Sequence, residues 1–260
     1  MTIKAIIFDV DGTLADTEDA HRKSFNKAFA ESNLDWNWDV PLYDKLLKVT
    51  GGKERIKYYV ESFNTSFNKP VDYDNFVKKL HAIKTVHYTA MMRAGDVPLR
   101  PGIKQLINDA RKAGITLAIA TTTTPENVGA LLEVGLGKDW GSYFASVGCG
   151  DIVPKKKPAP DIFNWVLAEL KMSPADCIAL EDSNNGLRSS LAAGLKTYVT
   201  VNQYTRSQDF SGAAAVLEDL SDLPAFYKIT GLVTITVDNP QEKTTCPTKK
   251  PYKHPMHPPQ

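Results

Sequence analysis

The chain has 260 residues and 42% hydrophobic content, enough to bury the core of one large or two modest globular domains. A formal net charge of +1 gives no reason to expect nucleic acid or an anionic membrane as a partner. Three cysteines (Cys149, Cys177 and Cys246), none in a CxxC spacing, argue against both a disulfide framework and a structural zinc site.

The first element is "KAIIFDV" (4–10), a short apolar run with the pattern of a strand buried on both faces. It follows the N-terminus directly, with no signal-peptide charge or cleavage pattern. No apolar run approaches the roughly 20 residues of a membrane span, so the expectation is a soluble, cytoplasmic protein. Residues 16–95 read as mainly helical. "DTEDAHRKSFNKAFAES" offers Asp16 or Thr17 as a cap and a stripe of Ala20, Ser24, Phe25, Ala28 and Phe29. "YDKLLKV", "KERIKYYVESF" and "YDNFVKKLHAIKTVHYTAMMRAG" follow, with Trp36 and Trp38 expected to pack between the helices.

From residue 100 the pattern changes to strand–helix alternation. "RPGIKQLINDARKAG" puts Ile103, Leu106, Ile107 and Ala110 on one face and ends at Gly114. "ITLAIA" (115–120) is a strand, and "TPENVGALLEVG" a helix capped by Thr124 with Pro125 in its first turn. "YFASV" (143–147) is a weaker strand. "PAPDIFNWVLAELK" is a helix with Ile162, Phe163, Val166, Leu167 and Leu170 on one face. "CIALE" (177–181), the helix from Ser183 to Gly194 and "LKTYVTV" (195–201) complete the series. The alternation predicts an α/β fold with a Rossmann-like parallel sheet and right-handed crossovers. Residues 1–15 and 96–237 form its core, 16–95 a helical insertion hinged near 15 and 96, and the proline-rich 238–260 a disordered tail.

Open parallel sheets bind ligands beyond the carboxyl ends of their strands. Those ends carry Asp9 and Asp11, then Thr121 to Thr124, then Glu181 and Asp182, with Lys155, Lys156 and Lys157 before the 160s helix. Two carboxylates this close at a strand end are costly to desolvate unless a cation compensates them. Acids, hydroxyls and a lysine on one edge fit phosphoryl transfer with Mg²⁺, which prefers hard oxygen ligands. Lys155 and Lys156 are expected to be solvated loop charges.

"DVDGT", the hydroxyl ending "LAIAT", "KKKP" and "LEDS" occur in the motif order of the haloacid dehalogenase (HAD) phosphatase superfamily, which the sequence resembles over about residues 1–225. The helical insertion resembles that superfamily's C1 cap. "TGGKERI", "ATTTTPENV", "KKKPAPDIF" and "ALEDSNNGLR" are similar to the CbbY-type branch, whose members dephosphorylate xylulose-1,5-bisphosphate, an inhibitory by-product of Rubisco. The resemblance implies a Mg²⁺-dependent phosphatase acting through an aspartyl-phosphate on Asp9. Asp11 would act as acid and base and ligate the metal through its backbone carbonyl. Asp182 would be a metal ligand, with Glu181 in the same site. Thr121 and the N–H of Thr122 would hold phosphoryl oxygens, and Lys157 would neutralise charge on Asp9 and phosphate.

In the insertion, Gly51, Gly52, Lys53 and Arg55 put two glycines and two cations at a helix start, the makings of a second phosphate site. A bisphosphate would bridge it and the first. Glu18 and His21, and more weakly Tyr43 and Lys84, are candidates for contacting the sugar, and Thr123 joins Thr121 and Thr122 as a candidate for binding substrate. His81, His87, His254 and His257 have no constellation around them. The expected partner is a small sugar phosphate and the expected state a monomer. A phosphomutase of the β-phosphoglucomutase type, a phosphoglycolate phosphatase, and a non-catalytic switch domain phosphorylated on aspartate share parts of this pattern. Retained turnover on a sugar phosphate separates the enzymes from the switch.

Overall fold

The computed structural model describes residues 3–232. The expected tail (238–260), the last stretch assigned to the core (233–237), Cys246, His254 and His257 lie outside the described residues.

Strand β1 (Ala5–Phe8) occupies the middle of a six-stranded, all-parallel sheet of order β3-β2-β1-β4-β5-β6. Its neighbours are β2 (Thr116–Ala120) and β4 (Cys177–Glu181), followed outward by β3 (Ser146–Gly148) on one side and β5 (Lys196–Thr200) and β6 (Ala215–Leu217) on the other. Alternation along β1 divides the core in two. Ile6 and Phe8 pack with Ile103, Leu106, Ile107 and Ala110 of α5 (Ile103–Lys112) and with Val128 and Leu131 of α6 (Pro125–Leu136). Ala5 and Ile7 face Ile162, Phe163 and Val166 of α7 (Asp161–Leu170). Each fully buried aliphatic or aromatic side chain contributes about 1.5–3 kcal/mol, which is why a four-residue strand can be held firmly. The register sets the active edge. Phe8 lies opposite Leu180, and the Asp9 N–H donates to the Leu180 carbonyl at 2.9 Å, so Asp9 and Glu181 come level beyond the strand ends.

Four helices lie between β1 and α5: α1 (Glu18–Glu31), α2 (Val40–Leu46), α3 (Gly52–Ser62) and α4 (Tyr73–Ala94). They share an aromatic cluster of their own. Trp38, fully buried, stands 4.6 Å from Phe25, 4.9 Å from Phe29 and 5.4 Å from Tyr59 between ring centroids. Such pairs add about 0.5–1.5 kcal/mol each beyond area burial. The long α4 spans both regions: Val77 and Leu80 join this cluster, whereas Tyr88 and Met92 join the sheet-side core. The two connecting strands run side by side, with Ala15 bridging Leu99.

Several local expectations change. Thr17 precedes α1, but its hydroxyl makes no cap bond, because it donates to Asp11 instead. Helix α2 begins at Val40, earlier than "YDKLLKV", because Asp39 caps it by accepting from Leu42 N–H at 2.8 Å. The β3 strand is shifted to Ser146–Gly148, since Trp140–Tyr143 form a 3-10 turn. Strand β6 and helix α9 (Leu223–Thr230) have no counterpart in the sequence reading. The first is three residues long and half exposed at the sheet edge, too short to show a period. Helix α8 (Asn184–Ala192) is capped by Ser183, whose hydroxyl accepts from Gly186 N–H at 3.2 Å, leaving Glu181 and Asp182 free of capping duty. Among the described residues no helix is long and apolar enough to cross a membrane.

Candidate active site

The carboxyl ends of β1, β2 and β4 and the loop before α7 converge on one buried lysine. Lys157 Nζ donates to Asp9 Oδ1 and to Glu181 Oε1, both at 2.6 Å, and to the Ala120 carbonyl at 2.8 Å. Asp182 follows Glu181, and its Oδ2 accepts from the Asn202 amide at 2.8 Å. Carboxylate oxygens of Asp9, Glu181 and Asp182 all lie within 4.8 Å of one another. Gly12 makes this approach feasible. Its φ of +79° is in the left-handed region, and a Cβ there would stand 2.0 Å from Asp182 Oδ2.

Three buried carboxylates facing one lysine are short of positive charge. Burial, with Asp9 and Glu181 adding to it, pushes Asp182 well above the ordinary carboxylate range. Burial and the neighbouring acids also push Asp9 upward, against the opposing pull of Lys157. An oxygen-only donor set with excess negative charge fits a hard divalent cation such as Mg²⁺.

Asp11 turns away from this cluster, toward the helical insertion. Its Oδ1 accepts from the Thr17 hydroxyl at 2.7 Å and meets His21 Nε2 at 2.9 Å, with the Tyr88 hydroxyl at 3.4 Å. The His21 ring stacks on Tyr88 with centroids 4.0 Å apart. Lys84 Nζ stands 2.5 Å from His21 Nδ1, so the ring lies between Lys84 and Asp11. Burial draws Lys84 down to about 7. Burial raises Asp11, but the charge and hydrogen bond of His21, then Thr17, then Lys84, outweigh it and hold the carboxyl well below its usual range.

Thr121 is buried at the end of β2, its N–H bonded to the Gly148 carbonyl at 2.9 Å and its hydroxyl accepting from Thr123 N–H at 3.3 Å. Thr123 accepts from the Asn127 amide at 2.9 Å. Thr124 caps α6 as expected.

Opposite these residues, Arg55 donates to the Tyr43 hydroxyl at 2.8 Å, and that hydroxyl donates to Glu18 at 3.0 Å. The Arg55 Nε is buried and has no hydrogen-bond partner among the described residues. Lys53 pairs with Asp151. Lys156 departs from the expected solvated charge: it is largely covered and binds Glu54 and Asp151, each at 3.0 Å. A Lys–Asp–Lys–Glu chain of ion pairs therefore joins α3 to the loop after β3. Lys155 is exposed. Gly51, at φ +98°, leaves no room for a side chain, because a Cβ would meet the Glu54 carboxylate at 2.2 Å.

All but one of the residues picked out from sequence line a single cavity of about 1150 Å³. Tyr43 is the exception. It is fully buried behind the wall, so it orders Glu18 and Arg55 and is not a surface for the sugar. His81 also differs: it lines the cavity against Gly52, and burial, with Lys84 and Lys53 adding to it, pulls it down to about 3. His87 pairs with Glu31 away from the site, and Trp36 and Trp38 stay within the aromatic cluster. Thr17, Tyr88 and Asn202 went unnoticed in the sequence. Asn202 lies just past β5, so the strand-end rule that found Asp9 and Asp182 also reaches it.

A family model described as haloacid dehalogenase-like hydrolase matches residues 3–194, and the chain belongs to that family. It is a phosphoric monoester hydrolase of the HAD type, its acids clustered at the strand ends as the motifs imply. The chain is similar to the plasmid-encoded protein CbbY of Cupriavidus necator, at 50% identity over 220 residues, 85% of this chain and 87% of that protein. It is also similar to the crystal structure of CbbY from Rhodobacter sphaeroides in complex with phosphate, at 43% identity and a TM-score of 0.79, over 85% of this chain and 96% of the other. An aspartate-to-asparagine mutant of that protein, crystallised with xylulose-(1,5)bisphosphate, matches over the same shares with a TM-score of 0.80 and 43% identity.

Proposed function

We propose that this chain is a Mg²⁺-dependent sugar-bisphosphate phosphatase that converts xylulose-1,5-bisphosphate to xylulose 5-phosphate. One observation carries the reading. A single cavity has the Asp9 cluster at one end and Arg55, with a buried and unpartnered Nε, on the insertion side. A substrate with two phosphates can fill both ends. The similarity to a protein crystallised with that bisphosphate supports the choice of sugar.

In this mechanism the Asp9 carboxylate attacks phosphorus, and the sugar oxygen leaves with a proton from Asp11. Water, giving a proton to Asp11, then attacks the aspartyl-phosphate and releases inorganic phosphate. The donors around Asp11 favour its ionised form, the form that takes the proton from water in the second half. Asp9, Asp182, Glu181 and the Asp11 main-chain carbonyl would hold Mg²⁺, which when bound would supply positive charge to the transferring phosphoryl group. Lys157 pulls Asp9 toward its ionised form and aims it, while Thr121 and the Thr122 N–H grip phosphoryl oxygens. Residues 16–95 act as a cap hinged where Ala15 meets Leu99, and Lys53, Arg55 and the Gly51–Gly52 turn hold the distal phosphate. Glu18, His21, Lys84 and Thr123 face the sugar. We take a monomer as the working unit and a cytoplasmic setting, with which the free, buried Cys149 and Cys177 are compatible.

Phosphate release across sugar mono- and bisphosphates tests the reading. Xylulose-1,5-bisphosphate should give the highest kcat/KM, and isomerised monophosphate without free phosphate would indicate a mutase instead. Activity should vanish in EDTA and return with Mg²⁺, while Ca²⁺ should bind but support little turnover because of its longer, looser coordination. Full activity in metal-free buffer would contradict the site.

Arg55→Ala should cost the bisphosphate about 2–5 kcal/mol in kcat/KM, the range for truncating one partner of a buried charge pair. Turnover of para-nitrophenyl phosphate, which has no distal group, should change little. Equal losses on both substrates would make Arg55 a support for Tyr43 and Glu18 and remove it from the phosphate site.

A further inference from the structure

Arg100 precedes α5, outside every motif that marks the site, and is 8% exposed. Its whole guanidinium is committed. One terminal nitrogen donates to the Gly12 carbonyl, to the Thr200 carbonyl at 3.1 Å and to the Thr200 hydroxyl at 3.2 Å. The other donates to the carbonyls of Val201 at 2.6 Å and Glu218 at 2.8 Å. Nε lies 3.4 Å from Asp16, a carboxylate 63% exposed. Desolvating a cation against four neutral carbonyls and one solvated acid is a poor way to gain stability. What a guanidinium offers, and an apolar side chain of similar size does not, is a rigid fork that fixes several acceptors relative to one another.

The acceptors identify what is being fixed. Gly12 follows Asp11 in the nucleophile loop. Val201 precedes Asn202, whose amide holds Asp182 Oδ2. Gly12 itself is pressed against that pair, since a Cβ there would lie 2.0 Å from Asp182 Oδ2 and 2.8 Å from Asn202 Nδ2. One planar cation thus staples the loop bearing Asp9 and Asp11 to the loop that aims Asp182.

We propose that Arg100 is a positioning residue for the divalent-metal site, setting the separation between Asp182 and the Asp9–Asp11 loop. It touches neither substrate nor metal. The proposal rests on the Mg²⁺-dependent reading above, and the test separates the two.

Mg²⁺ is titrated calorimetrically into the full-length wild type, Arg100→Gln and Arg100→Lys without substrate, and Mg²⁺ activation curves are recorded alongside. Arg100→Gln should weaken Mg²⁺ binding by about 10–100-fold, the range for removing a group that orients a metal ligand. It should need correspondingly more Mg²⁺ for half-maximal activity, with kcat largely restored at saturation. Arg100→Lys keeps the charge without the fork and should shift in the same direction. Leu106→Ala, in the α5 core, controls for stability: it should lower Tm and leave Mg²⁺ affinity unchanged. Folded Arg100 variants that bind Mg²⁺ within about twofold of wild type, against that 10–100-fold expectation, overturn the proposal and leave Arg100 a fold-stabilising group. If Arg100→Gln does not fold, Arg100→Lys is judged by the same criterion. Failure of the wild type to bind Mg²⁺ overturns the metal reading itself.

Discussion

Asp9→Asn protein is expected to release no phosphate from any sugar phosphate while still binding Mg²⁺ and substrate. A carboxamide is too poor a nucleophile to form the acyl-phosphate, so the covalent route closes. The geometry around it should survive. The asparagine oxygen can still accept from Lys157, and Glu181 and Asp182 stay within reach of a shared cation. Losing one of three carboxylates should weaken Mg²⁺ binding without abolishing it. Phosphate release and equilibrium binding of the bisphosphate, measured on one preparation, check both halves. Near wild-type turnover would place the nucleophile elsewhere. Loss of both turnover and binding would mean that Asp9 is needed for assembly of the pocket.

The second large effect is expected from Lys157→Met, which fills similar space but removes the cation shared by Asp9 and Glu181. Both carboxylates would then be buried beside Asp182 with no compensating charge. Breaking a buried pair in this way costs about 3–5 kcal/mol. Calorimetric unfolding in EDTA should show that loss. Mg²⁺ should recover part of it, because a divalent ion now carries more of the compensation, so the Tm gain on adding Mg²⁺ should exceed that of wild type. Turnover should fall by about 10²–10³-fold even at saturating Mg²⁺, the scale for removing one preorganised electrostatic contact. A variant as stable as wild type in EDTA would show that Asp9 or Glu181 is protonated in the resting site and that the lysine was not needed to balance it.

The motifs yielded the site's parts more readily than its wiring. Asp9, Thr121 and Asp182 stand at strand ends and Lys157 just before a helix, in fixed order, and both the element pattern and the residue types are local signals. The pairing of Lys157 with Asp9 joins residues 148 positions apart, and that of Asn202 with Asp182 residues 20 apart. No local period encodes either. Tyr43 was misplaced for a related reason: its residue type suits a ligand wall, but only tertiary packing shows that Glu18 and Arg55 use its hydroxyl from both sides. Lys156 looked unremarkable because Glu54, one of its partners, is 102 residues away, and His81 because only folding packs it against Gly52. The helices were readable from their apolar stripes, whereas β6 and α9 were too short or too weakly patterned to stand out.

The central place of β1 has a consequence for how the enzyme comes into being. Ala5 pairs with Thr116 on one side and Cys177 on the other, so the strand made first on the ribosome waits for both neighbours. The insertion helices, with contacts mostly near in sequence, can gather earlier around Trp38. Long loops must close before the parallel pairs form, and folding rates fall as such distant contacts come to dominate. Asp9 therefore meets Lys157, Glu181 and Asp182 only when more than two thirds of the chain has emerged. A nascent or truncated chain ending before β4 carries Asp9 but not the acids that complete its site.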